Sequence, residues 1–225
     1  MKSTANKIYF EDSVSLPNDS GTGIQLGRFE DGPAPGGLLA NFGWRDITSE
    51  VSTRGVVATD PTFTQVGSSE FRFYRFAINK LVWFNFHIPH DYLPSSPVHF
   101  HVHWFTDDAA TGLVTWQWTY AYAKGFNQEA FDFALANSPL TTANVITATQ
   151  ASGGAFKHMV AETAAVTIPG LTEPDGMICV QLKRISNGTS PLNELSSAPF
   201  MITSDVHYRS TNLATLNKAP NFYTD

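Results

Sequence analysis

The chain has 225 residues; 15% are charged, against roughly 25% in an ordinary soluble domain, and 13% are aromatic, with 17 phenylalanines. A net charge of −6 without a Lys/Arg stripe excludes a binder of phosphate backbone, so no nucleic-acid partner is expected. No run of about 18 apolar residues occurs, so no membrane contact through a spanning helix is expected, and the length suits one all-β domain or two small ones.

Residues 1–43 differ from the rest. "SLPNDSGTGIQLG" and "EDGPAPGGLLANFG" are rich in Gly, Pro, Asn and Asp and hold no sustained period, which reads as an irregular N-terminal arm. Such an arm folds back along its own domain or docks on a neighbouring subunit. The first residues, "MKSTANKIYFEDSVSLP", lack the apolar centre of a signal peptide, so synthesis in a cytoplasm is expected.

From Trp44 onward, over 44–225, the chain is a series of strand signals. "EFRFYRFAI" (Glu70–Ile78) alternates. "LVWFNFHI" (Leu81–Ile88) is nearly continuous and aromatic, as a strand packed on both faces would be. After the Pro-rich connector "HIPHDYLPSSP" comes "VHFHVHWFT", then "LVTWQWTYAYAKG". In the last, Val114, Trp116, Trp118, Tyr120 and Tyr122 share one face, the clearest period of two in the chain. They read as core, with a sugar-stacking platform as the other use of such a row. "NQEAFDFALA" suits a short helix or a strand. Strands are expected at "NVITATQ", "KHMVAETAAVTI", "GMICVQLKRI" and "PFMITSDVHYRS". The one cysteine, Cys179, sits in an apolar run and reads as a buried thiol. Eight or more strands with turn signals and almost no helix predict an all-β, jelly-roll-like β-sandwich.

Signatures of common catalytic centres are missing: no Gly-x-Ser-x-Gly, no His-Glu-x-x-His, no Cys-x-x-Cys, no phosphate-binding loop. What remains is the histidine row of "PVHFHVHWF". In a strand His99, His101 and His103 share one face, and Val98, Phe100, Val102 and Trp104 share the other. Same-face neighbours lie about 7 Å apart, so one tetrahedral metal takes two adjacent imidazoles plus a ligand from elsewhere. His87, Asp91, His158, Glu162, Asp205 and His207 are the candidates for that ligand, and "DVHY" places Asp205 and His207 on one face of one strand. If the apolar partners face the core, the imidazoles face outward. A cupin-like metal enzyme, which needs them inside, is then the minor reading, and a structural metal shared between subunits stands beside it. The leading reading is neutral imidazoles at a polar subunit contact or hydrogen-bonded across strands, with no cofactor. Charged imidazoles so close would repel by roughly 2 kcal/mol, so pKa values below the ordinary one are expected along the row. Asp91 reads as a turn cap rather than the partner of a catalytic His90. Asp107, Asp108, Glu173 and Asp175 read as solvated turn residues, with calcium ligation as the minor alternative.

The set "FHIPHDYLPSSPVHFHVHW", "TWQWTYAYAKGFNQEAF", "HMVAETAAV", "EPDGMICVQLKR" and "SDVHYRSTNLATLNKAPNFY", over roughly residues 70–225, resembles a family of virion proteins of tailed bacteriophages. The resemblance implies a non-enzymatic structural component. The first expectation is a capsid decoration (cement) protein, a homotrimer whose partners are the major capsid protein or other virion proteins, made in the host cytoplasm and located in the virion. A tail, neck or fibre component is the alternative. No catalytic residue is carried over, and the arm at 1–43 falls outside the resemblance.

Overall fold

The computed structural model describes residues 2–4, 7–9, 43–55, 58–131, 133, 144–188, 193–211 and 213–223. The chain divides into two units, Met1–Asn41 and Phe42–Asp225. In the first, β1 (Lys2–Thr4) and β2 (Lys7–Tyr9) pair antiparallel, with Thr4 opposite Lys7. The arm expected to be irregular therefore carries a small hairpin over these residues, and 10–42 lie outside the described residues.

The second unit holds β3 (Trp44–Thr48), β4 (Thr62–Gln65), β5 (Arg72–Arg75), β6 (Leu81–His87), β7 (His99–Phe105), β8 (Leu113–Ala123), β9 (Val145–Ala151), β10 (Met159–Glu162), β11 (Met177–Ile185) and β12 (Phe200–Arg209). They form two antiparallel sheets. One runs β10-β7-β12-β5-β4, with β3 also paired to β12; the other runs β6-β11-β8-β9. From β5 to β12 the chain crosses between sheets at every connection except β8 to β9. The resulting orders, β5-β12-β7-β10 and β6-β11-β8-β9, are those of a jelly roll, two Greek keys folded face to face. The fold read from the strand signals is present. Among the described residues there is no α-helix, and the part of "NQEAFDFALA" they include (127–131 and 133) is turn and irregular chain.

The sandwich follows from alternation. Phe100, Val102 and Trp104 of β7 and Trp116, Trp118 and Tyr120 of β8 are buried between the sheets. Phe100 stacks on Tyr120 with ring centres 5.8 Å apart, and Trp104 meets Trp116 at 6.5 Å, so aromatic pairs tie one sheet to the other. Each such ring removes about 150–250 Å² from water, a gross gain of about 4–6 kcal/mol that offsets the ordering of the chain. Tyr122 joins the same core, so the row on β8 is interior, as expected.

Two readings are corrected. β6 is packed on one face only: Val82, Phe84 and Phe86 are buried, whereas Asn85 and His87 are exposed. Its half-buried Trp83 instead exchanges two backbone hydrogen bonds with Ser52 and lies under the Arg54 guanidinium. Cys179 is half-buried rather than interior, because Ile178, Val180 and Leu182 take the core face of β11 and leave it the other. Burial raises its pKa.

Candidate functional site

Phe100, Val102 and Trp104 claim the core, so the histidines of β7 stand on the outer face of their sheet. The interior placement of a cupin-like centre is not what this geometry provides. Strand pairing then assembles the site. On one side of β7, Glu162 of β10 stands opposite His101. On the other, β12 sets Asp205 opposite His101 and His207 opposite His99. One strand further, Asp46 of β3 stands opposite His207. Residues far apart in sequence thus form one patch of imidazoles and carboxylates. It is not solvated like an ordinary sheet surface: His101 is 3% exposed and Asp205 5%.

Each imidazole has a fixed bond. His99 donates its Nδ1–H to the Thr163 carbonyl at 3.0 Å, and Trp44 packs edge-on at 5.2 Å between ring centres. His101 donates Nε2–H to Glu162 Oε2 at 2.5 Å, which leaves Nδ1 turned toward Asp205 Oδ1, 3.6 Å away. His103 donates Nε2–H to Asp205 Oδ2 at 3.1 Å, and its Nδ1 lies 2.8 Å from His158 Nε2. His207 donates Nε2–H to Asp46 Oδ1 at 2.5 Å and packs its ring on His101, with centres 3.5 Å apart. The row is hydrogen-bonded across strands, one of the two arrangements expected.

Its electrostatics are not uniform. Burial, and next the nearby His207, lower the pKa of His101, as expected for the whole row. His103 departs from that expectation. Its bond to Asp205 stabilises the imidazolium and raises its pKa despite burial.

Of the expected third ligands, Glu162, Asp205, His207 and His158 reach the patch. His87 and Asp91 do not. His87 and His90 both face Asp175 Oδ1, at 3.1 Å each. Asp91 is a structural anchor, accepting from Tyr208 Oη at 2.8 Å and Ser210 Oγ at 2.6 Å and pairing with Arg45 at 2.8 Å. Asp107 pairs with Arg75 at the end of β5, and Asp108 accepts from the backbone N–H of Ala110 within its own turn. Asp46 was missed. Its signal was the alternation Trp44, Asp46, Thr48, which has no meaning until β3 is known to pair with β12. Among the described residues three overlapping sets place ligand atoms within 4.8 Å of one another: His101, His103 and Asp205; His101, Glu162 and His207; Asp46, Asp205 and His207.

The same outer face continues past His103 into an apolar end. Phe105 stacks on Phe200 at 5.1 Å and meets Phe73 edge-on at 5.4 Å, and these three cluster with Val66. Around them opens a groove of about 620 Å³, also lined by Phe71 and Phe156, which are 72% and 64% exposed. No protein-family model matches the chain, and no curated protein matches it.

Proposed function

We propose that the chain is a non-enzymatic structural component of a tailed-phage virion, a decoration protein that binds the assembled shell as a homotrimer. The observation that carries the reading is the Phe71/Phe156 groove. Two large aromatic side chains stand mostly in water beside an apolar cluster, next to the patch of imidazoles and carboxylates. An exposed apolar patch of this kind marks a contact surface. Covering each phenylalanine gains about 1.5–3 kcal/mol, enough for a few such contacts per subunit to stabilise a shell by mass action. The motif resemblance over roughly 70–225 is what supports a virion as that larger surface.

The test is light scattering of the purified chain, followed by co-sedimentation with shells assembled from the major capsid protein. A trimer that sediments with shells, and a Phe71→Ser/Phe156→Ser double variant that stays folded but binds at least tenfold more weakly, are expected. A wild-type chain that remains monomeric and stays in the supernatant while the shells pellet would refute the proposal.

A further inference from the structure

We propose that His101 Nδ1, His103 Nε2 and a carboxylate oxygen of Asp205 form a binding site for one divalent transition-metal ion of the zinc class on the outer face of the jelly roll. This rests on the histidine patch alone and is independent of the assembly reading.

Spacing is the first ground. Ligands about 2.0–2.1 Å from a tetrahedral ion lie about 3.3–3.4 Å from one another. The distances here, 3.6 Å from His101 Nδ1 to Asp205 Oδ1 and 3.1 Å from His103 Nε2 to Asp205 Oδ2, are near that edge, each to a different oxygen of the carboxylate, and one ligand atom from each of the three residues lies within 4.8 Å of the others.

Two unmet atoms are the second ground. His101 Nδ1 and Asp205 Oδ1 are both buried and neither has a hydrogen-bond partner. With its one ring proton on Nε2 and given to Glu162, His101 points a nitrogen lone pair at a carboxylate oxygen. Two buried acceptors facing each other are costly. A cation between them satisfies both.

The outer partners are the third ground. A metal-bound imidazole ordinarily donates its other N–H to a carboxylate or another acceptor, which fixes the ring. His101 already does so toward Glu162 Oε2, at 2.5 Å. With Nε2 of His103 on the ion, its Nδ1–H faces His158 Nε2, 2.8 Å away. The competing set of His101, Glu162 and His207 is less suited. There His101 Nε2 and Glu162 Oε2 are already hydrogen-bonded at 2.5 Å, well inside the edge of about 3.3–3.4 Å. Two imidazole nitrogens and one carboxylate suit zinc and its neighbours, not calcium or magnesium, which take oxygen ligands. Three protein ligands leave a fourth position for water or a group from a partner.

The experiment uses the full chain, stripped with chelator and dialysed, titrated with Zn2+ by calorimetry and with Co2+ by visible absorption. Saturation at one ion per chain is expected, with the intense ligand-field bands of low-coordinate Co2+. His103→Gln and Asp205→Asn should each weaken binding by more than about tenfold, and loss of the outer partner in His158→Gln by about tenfold. His207→Gln should stay within about twofold of wild type. Circular dichroism in chelator shows whether each variant is folded, and the Co2+ spectrum of the unaltered chain needs no variant. Absence of saturable binding of either ion overturns the proposal. So does binding that survives His103→Gln and is lost in His207→Gln, because the ion then occupies the other set.

Discussion

Trp118 gives the sharpest test of the interior. It stands near the middle of β8, opposite Leu182 on one side and Ile146 on the other, and is fully buried. Truncation to alanine removes an aromatic that buries about 150–250 Å² and leaves a cavity that rigid sheets cannot close, so Trp118→Ala should cost about 3–5 kcal/mol. The indole adds a discriminating detail. Its N–H is buried and meets no acceptor, as are those of Trp104 and Trp116. An unmet donor costs about 1–3 kcal/mol. Trp118→Phe keeps most of the ring, removes that donor and should lose less than about 2 kcal/mol. The assay is urea unfolding followed by far-ultraviolet circular dichroism, because removing one of five tryptophans alters fluorescence by itself. An unchanged slope against urea certifies that only stability has moved. If Trp118→Ala costs under about 1 kcal/mol and abolishes sugar binding, the row is a ligand platform. If Phe costs as much as Ala, the unmet indole donor is not a burden in the native state.

Two further perturbations test other parts of the fold. Arg184, 2% exposed, donates to the carbonyls of Phe76, Leu195 and Ser197 and pairs with Glu194 at 3.0 Å; Glu194→Ala strands a buried cation and should cost about 3–5 kcal/mol by urea unfolding, whereas a loss under about 1 kcal/mol would show that water already neutralises it. The histidines should give opposite pH signatures in the chain kept metal-free by chelator. His101, lowered by burial and by His207 against the attraction of Asp205 and Glu162, contributes stability that is present above the unfolded value near 6.5 and lost as pH falls below it. His103, raised chiefly by Asp205, contributes stability present below that value and lost as pH rises through its folded pKa. Between pH 7.5 and 5, His101→Gln should therefore flatten the acid-side loss and His103→Gln should steepen it, and unfolding curves in which both variants shift the same way would contradict the assignment.

How much of this was legible in the sequence depends on whether one strand or two were needed to see it. The alternation of β7 and β8 is a property of single strands, so the outward histidines and the buried tryptophans could be read from residue order. Trp83 and Cys179 were misplaced because an apolar side chain on a strand does not reveal which face the core uses. Pairing across strands decides that. His103 was misjudged for a related reason. Its neighbours along β7 are imidazoles, which predict a lowered pKa, but across the sheet its Nε2–H reaches diagonally to Asp205, which stands opposite His101 and raises it. Asp46 joins the patch only through the pairing of β3 with β12, a contact between elements more than 150 residues apart by the numbering of the two strands.

A single residue in β12 makes the patch possible. Strict alternation puts Met201, Thr203, Asp205 and His207 on one face, and Met201 belongs to the core. Continued without interruption, that phase would bury an aspartate and a histidine between the sheets and turn Val206 and Tyr208 to the outside. The pairing with β7 shows how this is avoided. Met201 stands opposite Trp104, but the register shifts before Thr203, which stands opposite His103, and Asp205 then meets His101. Ile202 is the extra residue of this bulge, 41% exposed and opposite nothing on β7. One unpaired residue reverses the phase of everything after it. Before the bulge β12 sends Phe200 to the outer face, where it stacks on Phe105; after it, β12 sends Asp205 and His207 to the same face. The apolar end and the ionic patch therefore lie side by side on one sheet surface because of Ile202, while Met201, Val206 and Tyr208 all stay in the core. A bulge that re-aims a strand in this way is a device found beside working sites. Here it joins the groove and the histidine patch into one continuous surface.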